Sequence, residues 1–227
     1  MKRLTLLPLL LILSIVLLQC NPPQRLTFSD KKASSVNRLV IFPVVSLIGT
    51  INDKDKVQES LFLSQEAEKQ VIKNLKVFLP ANITTKYLVL DSATDEQVKE
   101  VNINLIKRLH SSPLIRRMPA PAYTLKILDS IEEPYGLFIF HGGFTRTDEN
   151  YKAEYLKRRS MSLATLGFYN TVPNEAFSIM TGMLVDREQK TIAMYKELNW
   201  RNRDPKEEVV IRSQIRDIIL TYFNNGD

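Results

Sequence analysis

One cysteine occurs among the 227 residues, at position 20, and that removes a whole class of solutions. No intramolecular disulfide can form, so whatever fold the chain adopts must be held by burial. The position of this cysteine constrains as much as its solitude. Met1-Lys2-Arg3 is basic, Leu4 through Leu18 is almost wholly apolar, and Cys20 closes the stretch. A charged start, a short apolar core and a terminal processing point read as an export signal. An apolar run of about fifteen residues falls short of the roughly twenty that cross a bilayer as a permanent helix, and Pro8 interrupts it, which disfavours a retained anchor. A lone thiol in an exported protein needs an explanation. Lipid attachment supplies one.

Leu17-Leu18-Gln19-Cys20 resembles a bacterial lipobox, in which a diacylglycerol is joined to the thiol and the chain is cut just before it. Gln19 stands where most bacteria place Gly, Ala or Ser, and in this the motif is similar to the looser lipoboxes of spirochaetes. The resemblance implies residues 1–19 as a lipoprotein signal peptide and Cys20 as the acylated first mature residue, anchored in membrane lipid. Residues 20–37, with Pro22-Pro23, Ser34-Ser35 and few large apolar side chains, read as a flexible tether. Extended, such a segment reaches roughly 50 Å. Residues 38–227 are expected to form a single domain with its own core.

Charge excludes one class of partner. The formal net charge is +6, two of which leave with Lys2 and Arg3. Acidic residues interleave with basic ones, so the pattern is that of a solvated surface, and export argues independently against nucleic acid. Weak attraction to an anionic membrane remains compatible with it.

Arg38 to Val45 is a nearly continuous apolar run and reads as a buried strand, with Pro43 marking a bulge or its end. From Lys56 to Phe78 the spacing of Val57, Leu61, Val71, Ile72, Leu75 and Phe78 predicts an amphipathic helix stopped by Pro80. Ile83 to Leu90 suits a second strand. Ser92 or Thr94 caps the next helix, whose stripe is Val98, Val101, Leu105, Ile106 and Leu109, and Ala122 to Ile131 forms a shorter one. Tyr135 to Phe144 reads as the central strand. Thr145 to Arg159 lacks an apolar period and is taken as a charged loop. Ser162 to Tyr169, Phe177 to Asp186 and Lys190 to Leu198 read as strands, the last two joined as a hairpin. A final helix starts at Pro205 with the stripe Val209, Ile211, Ile215, Ile218, Ile219 and Tyr222. The expected fold class is therefore α/β (α+β): a mixed sheet of about five or six strands with amphipathic helices on it, closing with a β-hairpin and a C-terminal helix.

Candidates for chemistry are few. His141-Gly142-Gly143 after a strand resembles the oxyanion-hole loop of certain esterases, but that reading needs a Gly-x-Ser-x-Gly elbow, which the sequence lacks, and a base, for which His110 is the sole other histidine. The competing structural reading is a strand that bends at two glycines beside a half-buried histidine. Two distant histidines and one acylated cysteine offer no metal-ligand spacing, and no glycine-rich phosphate loop is present. Glu207-Glu208 suits the first turn of a helix. Arg116-Arg117 and Lys157-Arg158-Arg159 are basic clusters able to meet lipid phosphate or an acidic partner, though solvation alone also accounts for them. Trp200, near Tyr195 and Arg201, reads as a tryptophan closing a hairpin over the core. The sequence gives no catalytic, cofactor-binding or metal-binding residue, and Cys20 is its one assigned site.

Arg38-Leu39-Val40-Ile41-Phe42-Pro43, Tyr135-Gly136-Leu137-Phe138-Ile139-Phe140-His141-Gly142, and Leu184-Val185-Asp186 followed by Ile192 to Trp200 are similar to the first strand, central strand and closing hairpin of a group of bacterial outer-membrane lipoproteins. These are the curli-secretion, penicillin-binding-protein-activator and ABC-transport-auxiliary lipoproteins. The resemblance covers about residues 38–223, and departs at Gln189-Lys190 and in the charged stretch after Phe144. It implies a non-enzymatic binding or assembly module, anchored in the cell envelope at the outer membrane or facing the periplasm, with an envelope protein as partner and homo-oligomerisation allowed. The alternatives are a periplasmic hydrolase centred on His141 and a surface-exposed ligand-binding lipoprotein.

Overall fold

The most apolar stretch after residue 20 becomes the strand on which the others are laid. In a computed structural model that describes residues 25–27, 36–52, 56–111, 119–165 and 171–223, the elements in chain order are β1 (Arg25–Thr27), β2 (Arg38–Ile41), β3 (Val45–Ile51), β4 (Val57–Glu59), α1 (Leu61–Phe78), β5 (Thr84–Tyr87), α2 (Ser92–Ser111), α3 (Ala122–Ser130), β6 (Tyr135–Arg146), α4 (Asp148–Ala164), β7 (Ala176–Asp186), β8 (Thr191–Arg201) and α5 (Glu208–Phe223). β6 pairs antiparallel with β7 along its whole length, from Tyr135 opposite Asp186 to Thr145 opposite Ala176. Its other edge is shared by two parallel strands, β2 at Gly136 and Leu137 and β3 from Phe140 to Arg146.

β2 and β3 are one line of chain broken at Pro43, which has no N–H to give to a ladder. The expected single strand at 38–45 is thus two, and among the described residues the sheet has eight strands, in the order β1-β8-β7-β6-β2-β5 with β3 and β4 extending the side beyond Pro43. β5 is parallel to β2, while β4 is antiparallel to β3. The mixed sheet, the β7–β8 hairpin and the terminal helix agree with the expected class.

Period-two alternation sends side chains to two cores. On one face Leu39, Ile41, Leu137, Ile139, Met180 and Leu184 meet Val71 and Leu75 of α1 and Ile211, Ile215, Ile218 and Ile219 of α5. On the other, Val40, Phe42, Phe138, Met183, Val185 and Tyr195 meet Val98 and Leu105 of α2 and Leu128 of α3. Phe42 and Phe138 stack with ring centroids 4.0 Å apart. Burying each such large side chain is worth about 1.5–3 kcal/mol. In β8 the register slips between Leu184/Met194 and Val185/Ile192. Ala193 is the extra residue, a bulge that strengthens the twist at the hairpin.

Three expectations fail for local reasons. The stretch taken as a loop at 145–159 is the last two residues of β6, the cap Thr147 and most of α4, and Ser162 to Ala164, read as the start of a strand, are the end of that helix; residues 166–170 lie outside the described residues. The helix is held by contacts that leave no apolar period. Thr147 Oγ1 accepts from the Asn150 amide at 3.2 Å, Asp148 and Glu149 occupy the positive first turn, and Glu154 pairs with Arg158 at 2.7 Å, four residues on. The first residues of the expected helix at 56–78 instead form β4, because Ser60 caps the helix by accepting from the Leu63 amide at 3.3 Å.

Candidate functional site

His141 faces α5 from the middle of β6 and is wholly buried. Its Nε2 lies 3.5 Å from Ser178 Oγ, which donates to Gln214 Oε1 at 2.9 Å. Among the described residues Nδ1 has no hydrogen-bond partner. Burial disfavours the charged imidazolium and lowers its pKa to about 4. The ring is neutral and sealed under α5, not half-buried at a strand end. Nor do the glycines after it bend the strand, since the β6–β7 register runs through them unbroken. They serve close approach: a Cβ on Gly143 would fall 2.2 Å from the Phe177 carbonyl oxygen and 2.8 Å from Pro205. The His-Gly-Gly run is packing.

The opposite face holds a second polar constellation that the sequence reading missed. Tyr195 donates its hydroxyl to Glu197 Oε2 at 2.8 Å, and Asn199 Nδ2 donates to Glu197 Oε1 at 2.6 Å. Glu197 and Tyr195 are buried. Burial and the neighbouring carboxylate push the Tyr195 hydroxyl far above the ordinary phenol range, so it acts as a fixed donor. Glu197 in turn holds the Asn199 amide where β8 leaves the core.

That end of β8 forms the open site. Asn199, Trp200, Arg201, Arg203, Val209, Val210, Ser213 and Arg216 line a groove of about 720 Å³ between β8 and the first half of α5. Its two walls are tied together by Lys196, whose Nζ donates to the Asp217 carbonyl at 2.7 Å and to Thr221 Oγ1. Trp200 is partly buried and packs against the core, as a tryptophan closing the hairpin would. Three arginines and no carboxylate line the groove. The neighbouring acids are engaged elsewhere: Asp204 with Thr145 and Lys206, Glu208 with Lys73 at 2.7 Å. Arg216 keeps Asp217 beside it at 3.2 Å, whereas Arg201 and Arg203 have no ion-pair partner among the described residues. The three are scattered through sixteen positions of sequence, so no run of charge announced them; the signal was Arg201-x-Arg203 just past an aromatic strand end. Of the clusters that were noticed, Lys157 and Arg158 are paired to Glu154 on α4, and Arg116-Arg117 lie outside the described residues, as does Cys20.

β8 also receives the start of the described chain. β1 lies antiparallel on it, with Arg25 opposite Lys196 and Thr27 opposite Met194. Three residues of the segment expected to be a free tether are thus an edge strand of the sheet.

Helix α4 presents exposed apolar side chains away from this groove. Lys152, Leu156, Arg159 and Leu163 follow one another at helical spacing, and Leu156 and Leu163 are 63 % and 73 % exposed. Among the described residues no helix is long and apolar enough to cross a membrane, and no group of His, Cys, Asp and Glu is arranged to hold a metal ion.

No protein-family model matches the chain, and no curated protein matches it. Solved structures of similar arrangement include the PelC dodecamer of Paraburkholderia phytofirmans, at 11 % identity and TM-score 0.41 over 89 % of this chain and 96 % of that one. The C-terminal domain of LpoB from Salmonella enterica follows at 8 % and 0.30, covering 82 % and 90 %. A lipoprotein of Neisseria meningitidis gives 9 % and 0.31, covering 80 % and 96 %. At these values the likeness identifies neither a family nor an activity.

Proposed function

We propose that this chain is a lipid-anchored protein of the bacterial cell envelope, fixed by acylated Cys20 at the outer membrane, whose body is a non-enzymatic module that binds an envelope protein at the periplasmic side. The signal sequence and lone cysteine support the anchor. The observation that carries the binding role is α4: a seventeen-residue helix that buries only Asn150 and turns Leu156 and Leu163 to solvent. Exposed leucines in line on a helix are the usual anchors of helix-in-groove recognition. The hydrolase alternative asks for a histidine that substrate can reach, and the burial of His141 does not favour it.

The test places a photo-crosslinking residue at position 163 or, as control, at position 89, where Val89 is 90 % exposed outside any helix. In intact cells, position 163 should give a discrete adduct in the envelope fraction that position 89 does not, and Cys20→Ala should release the protein from that fraction. Equal background at both sites would remove the helix as a docking surface. Digestion of the protein by protease added to intact cells would instead favour the surface-exposed reading.

A further inference from the structure

We infer that the arginine groove at the end of β8 docks onto the phosphates of anionic phospholipids in the membrane that holds the Cys20 anchor, so that the body lies against the bilayer. The inference rests on the lipid anchoring of the proposed function and adds the orientation of the body. Chain reach decides it. Arg25 is paired to Lys196, and the five residues back to Cys20 span at most about 18 Å in any conformation. From Lys196 to Arg201 is five residues along the same extended strand, about 17 Å. An antiparallel partner of β8 runs toward its C-terminal end as its own sequence runs backward. The acyl chains are therefore tethered within reach of the groove, and the roughly 50 Å of free tether that residues 20–37 would supply is cut short by β1.

The chemistry at that place suits a phosphate surface. Guanidinium groups bind phosphate in a planar, bidentate fashion, and Arg201 and Arg203 have no competing carboxylate partner among the described residues. Arg216, paired to Asp217 at 3.2 Å, completes the lining. Ser213 and the Asn199 amide, the latter held by buried Glu197, add hydrogen-bonding capacity. Each arginine brought to an anionic leaflet adds about fivefold to partitioning. The anchor raises the local lipid concentration so far that contacts of this strength suffice.

Trp200 is the sole tryptophan and lines the groove, so it reports directly. The lipidated full-length protein is reconstituted into phosphatidylcholine vesicles with or without phosphatidylglycerol, a headgroup spin-labelled lipid serving as quencher. Quenching of Trp200 should be at least about threefold stronger with the anionic lipid, and should fall to the neutral-lipid level at about 1 M salt, where the Debye length is about 3 Å. The variant R201Q/R203Q/R216Q, exposed substitutions checked for folding by circular dichroism, should show the neutral-lipid level throughout while still floating with the vesicles. A protein that floats but is quenched equally in both compositions, or in neither, overturns the inference and leaves the anchor standing. Failure to float removes the anchor and this inference with it. Emission that ignores lipid but shifts on adding poly-glutamate assigns the groove to an acidic polypeptide and overturns the lipid reading.

Discussion

Acid should unfold this protein through His141 before its carboxylates matter. In the unfolded chain an imidazole titrates near 6.5, while in the folded state burial holds His141 at about 4. The group thus binds a proton more readily unfolded than folded. Its neutral form leaves stability untouched above pH 6.5, stability falls as pH drops from 6.5 toward 4, and below 4 the loss levels off. The full separation corresponds to about 3.4 kcal/mol, of which about 2.4 kcal/mol is lost between pH 7 and 4.5. The facing groups, Ser178 and Gln214, carry no charge to offset this. His141→Leu removes the titrating group and leaves Ser178 and Gln214 bonded to each other. Equilibrium urea unfolding followed by Trp200 emission, at intervals from pH 7 to 4.5, gives both curves. Carboxylates such as Glu154, held low by Arg158, and Glu68, raised by burial, are common to both proteins and cancel in the difference. The wild type should lose about 2.4 kcal/mol more than the variant over that range. Parallel curves would refute the reasoning and mean that the ring is hydrated or paired when protonated.

Two further outcomes follow from the packing. A Cβ at position 182 would sit 2.4 Å from Ile218 Cγ2, so Gly182→Ala should destabilise by about 1–3 kcal/mol; paired with Ile218→Ala, denaturation should show the two losses to be less than additive by about 1 kcal/mol. Thr147→Ala removes the cap of α4 and about 1 kcal/mol of helix stability, which should appear as faster amide exchange in residues 148–154 with β6–β8 unchanged.

The strands that alternate or run apolar between turn residues were legible: β6, β7 and β8 lie close to where hydrophobic periodicity puts them, as do Val71 and Leu75 of α1 and Ile211, Ile215, Ile218, Ile219 and Tyr222 of α5, while Val57, Leu61 and Val209 of the expected stripes face solvent. What was illegible depended on polar contacts. α4 is written in a threonine cap and a Glu154–Arg158 pair, which carry no apolar period. β3 and β4 were hidden because Pro43 made one strand look finished and Val57, falling at helical spacing from Leu61, made the helix after the Ser60 cap look longer. The groove could not be read because Arg201 and Arg203 meet Arg216 only after the chain turns back at Pro205. His141 was singled out for its chemistry, yet its burial comes from α5, sixty-odd residues later.

The pairing of early strands with late ones also orders events in time. β6, β7 and β8 are joined by neighbouring stretches of chain and can assemble as a meander once synthesised. β2 and β3 pair with β6 roughly a hundred residues downstream, and β1 waits for β8, at Lys196. Loops of that length close slowly. On the proposed export route, a chain delivered through the membrane from its N-terminus would present Cys20 for acylation while β1, β2 and β3 are still unpaired. The sequence separation of the pairings then predicts folding that runs backward, from the last strands made to the first, with β1 seated as its closing step.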